Sequence, residues 1–131
     1  MIESSTNLPL CDLSQIRTVA ANSHSVAIYD GYPVSPGHAL IIPRRHISSL
    51  FDATEEERGA LFNLLAEMRL KLQEEFQPDG FNIGINDGAA AGQTVMHLHI
   101  HLIPRYAGDQ SDPRGGVRWI VPDKAPYWDT P

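Results

Sequence analysis

The sequence predicts an α+β fold, in which a five-stranded antiparallel sheet carries one long helix on one face. Five short β-rich segments are separated mostly by short loops, and one long amphipathic helix lies between the third and the fourth segment. The chain has 131 residues, 42% of them hydrophobic, which suffices for one packed core but not for two ordinary domains. We therefore treat residues 1–131 as a single domain.

The first three strands come from the N-terminal third of the chain. The segment "RTVAANSHSVAIYD" predicts two short strands around a turn at Asn22-Ser23. The segment "HALIIP", residues 38–43, predicts a third strand that Pro43 should end. Between them, "DGYPVSPG" contains two prolines and two glycines and predicts a stiff loop. Residues 1–15 show no pattern and are interpreted as a loose N-terminal arm.

A helix is predicted from Thr54 to about residue 76. Thr54 is followed three residues later by Glu57, which is the pattern of a capping box. Apolar residues then recur at spacings of three and four and form one face of the helix: Leu61, Leu64, Leu65, Met68, Leu72 and Phe76. The Pro-Asp-Gly sequence at residues 78–80 should end this helix.

Two further strands follow the helix. "FNIGIN" predicts the fourth, and "QTVMHLHIHLIPRY" predicts the fifth after the loop "DGAAAGQ". In the fifth segment three histidines, His97, His99 and His101, alternate with apolar residues. Because side chains alternate between the faces of a strand, the three imidazoles should share one face while the apolar residues enter the core. Residues 107–131 are interpreted as an irregular C-terminal tail.

Composition limits the classes of function. The net charge of −6 argues against a general nucleic-acid or anionic-membrane surface, which requires a basic patch. The single cysteine, Cys11, allows neither an internal disulfide nor a zinc framework built on cysteines. No signal-peptide pattern and no membrane-length apolar run is present. These observations predict a soluble cytoplasmic protein without nucleic-acid or membrane partners.

The histidine run has three interpretations: a chance cluster, a metal site or a nucleophilic catalyst. On a regular strand His97 and His101 would lie about 13 Å apart, too far for one ion with bonds of about 2.1 Å. An imidazole that titrates near ~6.5 is a competent nucleophile, with neighbours that orient it or donate a proton. A phosphoryl group is a suitable electrophile, because backbone amides in the small-residue loop "NDGAAAGQTV" can approach it closely. The nucleophile interpretation is therefore favoured, and the other two stay open.

Three sequence blocks together resemble the histidine triad family of nucleotide-binding proteins. These blocks are "DGYPVSPGHALIIPRRHISSLFD", "FNIGINDGAAAGQTV" and "GQTVMHLHIHLIPR", and the resemblance extends over about residues 17–109. It implies the five-stranded sheet with one helix, a homodimer, and the binding of a purine nucleotide without a cofactor. In most branches of the family it also implies attack on the α-phosphate of that nucleotide.

The resemblance implies roles for four histidines. His99 matches the nucleophile, which would form a transient nucleotidyl-histidine. His101 matches the histidine near the phosphate and the leaving group. His97 and His38 match histidines that support these two. A protonated neighbour is expected to accompany the neutral attacking ring.

Four further residues match nucleotide-binding positions of the family. Asp30 matches the loop position that hydrogen-bonds the ribose. Asn86, Gln93 and Thr94 match positions near the phosphate or the leaving group. No metal ligand is assigned, because the N-terminal cysteine pair of some zinc-containing members is absent here.

The branch signals disagree. Thr94 and the Pro104-Arg105 pair resemble the fragile-histidine-triad type and the bacterial dinucleoside polyphosphate hydrolases, whereas Asn86 resembles the phosphoramidate-cleaving type. The predicted function is hydrolysis of a dinucleoside polyphosphate or a related nucleotide conjugate. Phosphoramidate hydrolysis, and nucleotide binding with little turnover, are the alternatives.

A few other residues have two interpretations each. His46 is predicted to be structural. Arg105 could neutralise a distal phosphate or form a surface salt bridge. Ile28, Val34 and Leu40 could line a base pocket or belong to the core.

Overall fold

A computed structural model describes residues 17–129, so the prediction of an N-terminal arm at residues 1–15 lies outside the described residues. The described chain forms one sheet and one α-helix, with these bounds: β1 Ala20–Ala21, β2 Ser25–Tyr29, β3 Ala39–Pro43, α1 Glu55–Phe76, β4 Gly80–Gly84 and β5 Ile100–Arg105. The strand order is β1-β2-β3-β5-β4, and all neighbours are antiparallel. The predicted fold class is confirmed.

The turn between β1 and β2 is built on Asn22, as predicted. Its side-chain oxygen accepts the backbone N–H groups of His24 at 3.1 Å and Ser25 at 2.9 Å. An asparagine that satisfies the backbone of the following residues in this way stabilises a tight reversal of the chain.

The start of α1 carries the predicted capping box. The Thr54 hydroxyl accepts the N–H of Glu57 at 3.1 Å, and the Glu57 carboxylate accepts the N–H of Thr54 at 2.8 Å. Arg45 also hydrogen-bonds this carboxylate and, as the largest cause, lowers the pKa of Glu57 to about 2. The helix ends at Phe76, and Gln77 then adopts a left-handed conformation with φ of 53°.

The main core lies between α1 and one face of the sheet. Four helix residues are fully buried there: Leu61, Leu64, Met68 and Leu72. They meet apolar residues of the strands, including Ala27, Ile41, Ile100 and Leu102. Each such side chain contributes about 1.5–3 kcal/mol relative to an exposed one, so this layer holds the sheet in place.

The opposite face of the sheet carries a smaller apolar cluster and one of the histidines. His101 of β5 pairs with Leu40 of β3, which in turn pairs with Ile28 of β2. On the other side of β5, Gly84 of β4 pairs with His101. Residues paired across antiparallel strands share a face, so His101 lies beside Leu40 and Ile28 on the face remote from α1.

The prediction that all three histidines lie on one strand is wrong. Strand β5 begins at Ile100, so only His101 belongs to it. The β3–β5 ladder ends at the pair Ile41 and Ile100 because Pro43 has no N–H to continue it. Instead, the carbonyl of Pro43 accepts a hydrogen bond from the His97 ring. The apolar half of the pattern is confirmed, since Leu98 enters the core with Ile100 and Leu102.

Residues 107–129 contain three short 3₁₀ helices: Gly116–Ile120, Pro122–Lys124 and Tyr127–Asp129. The Arg114 guanidinium lies 4.5 Å from the Trp128 ring centre, and that of Arg118 lies 4.7 Å from the ring centre of Tyr127. The Trp119 indole N–H donates to the Arg114 carbonyl at 2.7 Å. Cation–π contacts and this bond therefore organise the tail, which has no apolar periodicity to do so. Across residues 17–129, no helix is long and apolar enough to span a membrane.

Candidate active site

The ring of His99 is oriented by a backbone carbonyl. Its Nδ1 lies 2.8 Å from the carbonyl oxygen of His97, which can only accept a hydrogen bond. Nδ1 therefore carries the proton in the neutral ring, and the lone pair lies on Nε2. The side chain is half-buried, so Nε2 is the atom of this residue equipped to act as a nucleophile.

A directed chain of hydrogen bonds fixes the tautomers of two more histidines. The backbone N–H of Val34 donates to His38 Nδ1 at 3.1 Å, so the proton of a neutral His38 is on Nε2. This Nε2 lies 3.0 Å from His101 Nδ1 and donates to it. The proton of His101 is thereby placed on its own Nε2. The rings of His99 and His101 lie edge to face with centres 5.1 Å apart.

Asp30 completes this cluster from the loop after β2. Its Oδ1 accepts the N–H of Tyr32 at 2.8 Å, and its Oδ2 lies 3.4 Å from His38 Nε2. The loop conformation thus holds the carboxylate next to the histidine pair. Of the eight residues selected from the sequence, the structure brings Asp30, His38, His99 and His101 together.

Burial disfavours the charged form of both rings of the His38–His101 pair. Burial lowers the pKa of His38, which is almost fully enclosed. Burial is also the largest cause that lowers the pKa of His101 to about 4, with His99 and His38 adding to the effect. Removing both rings from water disfavours their charged forms, which argues against the protonated neighbour expected from the sequence.

His97 lies behind the site rather than in it. Its ring is fully buried and its Nε2 donates to the Pro43 carbonyl at 2.9 Å. Its Nδ1 lies 3.1 Å from Nδ1 of His46, which must then be the donor of that contact. His97 supports His99 through its backbone oxygen and not through its imidazole. His46, predicted to be structural, packs against His97.

Gln93 is enclosed and its amide is occupied. The side-chain oxygen accepts the N–H of Gly88 at 2.9 Å, and the nitrogen donates to the Ser48 carbonyl at 2.9 Å and the Val95 carbonyl at 3.2 Å. Gln93 thus joins the two ends of the small-residue loop. Asn86 is half-buried and Thr94 is exposed in the same segment, and no measured contact joins either of them to the histidines.

One group within residues 17–129 has metal-ligating atoms close together. Ligand atoms of Asp30, His38 and His101 lie within 4.8 Å of one another. Coordination by Nε2 of His38 would require its proton to move to Nδ1, where the Val34 N–H already donates. The hydrogen-bond pattern therefore does not fit a metal ion here.

The residues with two interpretations are placed as follows. Arg105 makes two 2.7 Å contacts with Asp109 and one of 2.6 Å with Asn82, which favours the salt-bridge interpretation. Ile28 and Leu40 are buried beside His101, whereas the Val34 side chain is 72% exposed.

The two clefts described next do not contain the histidine cluster, so the shape of the surface does not identify the candidate site. A cleft of about 430 Å³ is lined by His24, Arg44, Arg45 and neighbouring residues, and another of about 570 Å³ by residues of β2 and α1 such as Tyr29 and Lys71. Neither is lined by the histidine cluster. The site is defined by the chemistry of its side chains.

The comparisons with known proteins identify the family. Residues 14–108 match the family model described as HIT domain, and the chain belongs to this histidine triad family. An uncharacterized 16.1 kDa HIT-like protein of Mycoplasma pneumoniae is 43% identical over 88 residues, which cover 67% of this chain and 61% of that protein. The bis(5'-nucleosyl)-tetraphosphatase (asymmetrical) of Schizosaccharomyces pombe is 41% identical over 88 residues, which cover 67% of this chain and 48% of that protein. This chain thus spans about half to three fifths of these relatives.

A solved structure agrees with the fold. A HIT family protein from Bacillus anthracis superposes with a TM-score of 0.73 at 37% sequence identity, covering 79% of this chain and 76% of that chain. The resemblance drawn from the three sequence blocks is confirmed at the level of family and fold.

Two contributions to the site were missed at the level of sequence. The Val34 amide sets the tautomers of His38 and His101, and the Pro43 carbonyl turns His97 inward. Both are backbone groups, which residue types do not reveal. The contact of the Pro43 carbonyl did have a signal in the sequence. A proline that ends a strand interrupts the ladder, so nearby backbone groups must find hydrogen-bond partners outside it.

Proposed function

We propose that this protein is a nucleotide hydrolase that cleaves a dinucleoside polyphosphate or a related nucleotide conjugate through a covalent intermediate on His99. The observation that carries the proposal is the 2.8 Å hydrogen bond from His99 Nδ1 to the His97 carbonyl, which leaves Nε2 as the free lone pair. The tetraphosphatase named among the relatives supports the substrate class.

The first chemical step forms a bond between His99 Nε2 and the α-phosphorus. The bond from phosphorus to the bridging oxygen breaks, and its electron pair leaves with that oxygen. The imidazole becomes a nucleotidyl-imidazolium whose Nδ1–H still donates to the His97 carbonyl. Because this carbonyl carries a partial negative charge, it stabilises the cation that develops.

In the second step water attacks the same phosphorus. The phosphorus–Nε2 bond breaks, its electron pair returns to the ring, and the water proton passes to solvent as the monophosphate ionises. The fixed Nε2–H of His101 is available as a hydrogen-bond donor to phosphoryl or leaving-group oxygen in both steps.

The rest of the nucleotide site is assigned from the family pattern and from position. Asp30 binds the ribose, and Asn86 and Thr94 contact the phosphate or the leaving group. Gln93 acts on the same groups by holding the loop that carries them. Ile28 and Leu40 border the base, since Leu40 pairs with His101 and Ile28 pairs with Leu40 on the face remote from α1.

The test is a panel of purified substrates, namely dinucleoside tri- and tetraphosphates with adenine or guanine, with the nucleotide products identified by chromatography. The proposal expects a nucleoside monophosphate from each substrate that is cleaved. Running the panel with and without inorganic phosphate separates hydrolysis from phosphorolysis, because phosphate attack on the intermediate yields a nucleoside diphosphate. Tight nucleotide binding without any product would instead favour a binding module and overturn the proposed hydrolase.

We also propose a homodimer acting in the cytoplasm, as the family resemblance implies. Sedimentation of the purified protein checks the first part and cell fractionation the second. A monomer at micromolar concentration would contradict the dimer.

A further inference from the structure

We propose that Ser35 and Tyr106 are positioning residues whose hydroxyl groups fasten the loop 30–37 to strand β5. These two side chains are called the hydroxyl clamp. By holding the loop, the clamp keeps the Val34 N–H on His38 Nδ1, where it sets the tautomers of the histidine pair. The clamp acts through the loop and not on the reacting atoms. This inference rests on the proposed function for its kinetic test, and a measurement without substrate decides it separately.

The loop ends in a tight turn. The His38 N–H donates to the Ser35 carbonyl at 3.2 Å, and Gly37 between them has a φ of 88°. With Pro36 and Gly37 as its central residues, the turn fits type II. A Cβ at Gly37 would approach the Phe76 ring to 3.0 Å, so the turn also lies against the end of α1. The bond within the turn uses the Ser35 carbonyl and leaves that of Pro36 to find a partner elsewhere.

The clamp consists of two hydrogen bonds from hydroxyl groups. The Tyr106 O–H donates to the Pro36 carbonyl at 2.7 Å, and the Ser35 O–H donates to the Pro104 carbonyl at 2.7 Å. These distances are typical of well-formed O–H···O bonds. Pro104 belongs to β5, and Tyr106 follows directly after that strand. Both bonds therefore join the turn to the strand that carries His101.

The sheet holds the two rings of the pair, but the loop before β3 needs its own anchors. His38 directly precedes β3, and Leu40 of β3 pairs with His101, so the ladder fixes both segments that bear the rings. Val34 lies four residues before His38 with a side chain that is 72% exposed. The position of its N–H therefore depends on the contacts that fix the turn after it.

Asp30, at the start of the same loop, is held by other bonds. Its N–H donates to the His38 carbonyl at 3.0 Å, and its Oδ1 accepts the Tyr32 N–H at 2.8 Å. Neither bond uses a hydroxyl group of the clamp. Loss of the clamp should therefore disturb the histidine tautomers more than the carboxylate assigned to the ribose. In kinetic terms, it should lower kcat more than it raises KM.

A released loop would free the tautomers of the pair. Without the Val34 N–H, the proton of a neutral His38 can reside on either ring nitrogen. His101 Nδ1 then no longer faces a fixed donor, and the His101 proton is no longer confined to Nε2. The fraction of molecules that present the Nε2–H of His101 to a phosphoryl oxygen would fall, and the rate would fall with it.

The first experiment removes the hydroxyl groups and measures kcat and KM with diadenosine tetraphosphate. Loss of one hydrogen bond and a small misplacement of a catalytic group predict that Tyr106→Phe and Ser35→Ala each lower kcat about 3–10-fold. The double variant should lower it about 10–100-fold, while KM changes less than about threefold. Wild-type kcat in the double variant overturns the proposal.

Two matched variants separate the clamp from the general loss of a hydroxyl group. Tyr29→Phe removes a tyrosine O–H that donates to Glu75 at 3.3 Å, outside the loop, and should keep the wild-type kcat. Ser35→Thr retains the hydroxyl and should recover most of the rate that Ser35→Ala loses. A fall in Tyr29→Phe as large as that in Tyr106→Phe contradicts the clamp, and so does a Ser35→Thr rate as low as that of Ser35→Ala.

The second experiment reads the tautomers without turnover. In ¹⁵N spectra of the histidine rings at about pH 7.5, the wild type should show His38 and His101 protonated on Nε2 alone. The double variant should show averaged signals for the two nitrogens of each ring, with thermal melting as the check that it is folded. If the double variant does not fold, Tyr106→Phe supplies the same comparison.

This spectrum distinguishes a positioning role from a contribution to stability alone. Wild-type tautomers in a folded clamp variant would mean that the hydroxyl groups only stabilise the protein, which overturns the positioning role whatever the rates are. A wild-type protein in which His38 is not protonated on Nε2 overturns it as well. If the wild type cleaves no substrate, the proposed function fails, and the spectra alone decide whether the clamp sets the tautomers.

Discussion

Two histidine pairs of nearly equal length lie beside His99, the proposed nucleophile, and contact it in different ways. His38 and His101 approach to 3.0 Å, and His46 and His97 approach to 3.1 Å. In the first pair, His101 presents its Nε2–H on the face of the sheet remote from α1. In the second pair, His97 is fully buried, and it hydrogen-bonds His99 through its main-chain oxygen. Adjacent histidines of one motif can therefore act by side chain or by backbone.

The difference has its origin in the groups that terminate each pair. In the first pair, the Val34 N–H donates to His38 Nδ1. The ring protons of His38 and His101 are therefore both on Nε2, on the side toward the site. The second ends at a backbone acceptor, the Pro43 carbonyl, which directs a proton into the protein. Because these backbone groups do not titrate, they fix the donor and acceptor order of the hydrogen bonds in both histidine pairs.

The largest expected effect is the loss of the residue that both pairs serve. His99→Ala should lower turnover at least about 10⁴-fold, since removal of a nucleophile leaves only binding and transition-state hydrogen bonds. Nucleotide affinity should change far less, and the melting temperature should stay near that of the wild type. Steady-state kinetics and calorimetric titration check this. Wild-type turnover in His99→Ala would contradict the role of His99 as the nucleophile.

A smaller loss of turnover is expected when the Nε2–H of His101 is removed. His101→Phe keeps an aromatic ring but has no donor, and it should lower kcat about 10²–10³-fold, as is usual for one lost oxyanion donor. His101→Gln, which retains an N–H, is the matched variant and should recover part of the rate. Equal rates for the two variants would contradict the donor role.

The second pair should affect stability more than chemistry. His97→Ala leaves the Pro43 carbonyl without its donor and opens a cavity, so the free energy of unfolding should fall by about 2–4 kcal/mol. The backbone oxygen of residue 97 remains, so kcat of the folded fraction should fall less than about tenfold. Urea unfolding and active-site-normalised kinetics measure the two effects. A loss of rate as large as that of His101→Phe would show that the two pairs do not differ in this way.

Acid should destabilise the protein through its buried histidines. The pKa of His101 is lowered from 6.5 to about 4, and those of His38 and His97 are also lowered. Between these values the unfolded chain binds more protons than the folded one, so stability is complete above about pH 6.5 and declines as the pH falls toward 4. From pH 7.5 to pH 5 we expect a loss of about 1–2 kcal/mol from His101 alone, with a flatter dependence in His101→Phe. A pH-independent unfolding energy would contradict the neutral pair.

The smallest expected effect concerns Arg105, whose side-chain hydrogen bonds go to Asp109 and Asn82. Its contacts with Asp109 and Asn82 are only partly buried. Arg105→Gln should therefore cost at most about 1 kcal/mol and leave kcat within about twofold. A large increase in KM that grows with phosphate chain length would instead revive a role for Arg105 in phosphate binding.

Much of the fold could be predicted because local rules determine it. The capping box of Thr54 and Glu57, the spacing of the helix leucines and the turn at Asn22 each act within a few residues. The strand order could not be derived from periodicity. Strand β5 lies between β3 and β4, and only pairing between distant segments decides this.

The candidate site could be predicted by residue type but not by arrangement. His38, Asp30, His99 and His101 converge, while His97 faces inward although the alternation placed it beside them. Alternation holds only while a strand continues, and Pro43 ends the neighbouring strand at that point. The occupied amide of Gln93 and the donor role of the Val34 N–H depend on contacts across the chain.

The central claim is that His99 Nε2 carries the nucleotide during turnover. It is tested by rapid quenching of a reaction with diadenosine tetraphosphate in mild alkali, followed by peptide mass spectrometry. We expect a nucleoside monophosphate adduct on His99 that forms and decays at the rate of turnover and is absent from His99→Ala. An adduct on another residue, or turnover without any adduct at early times, would contradict it.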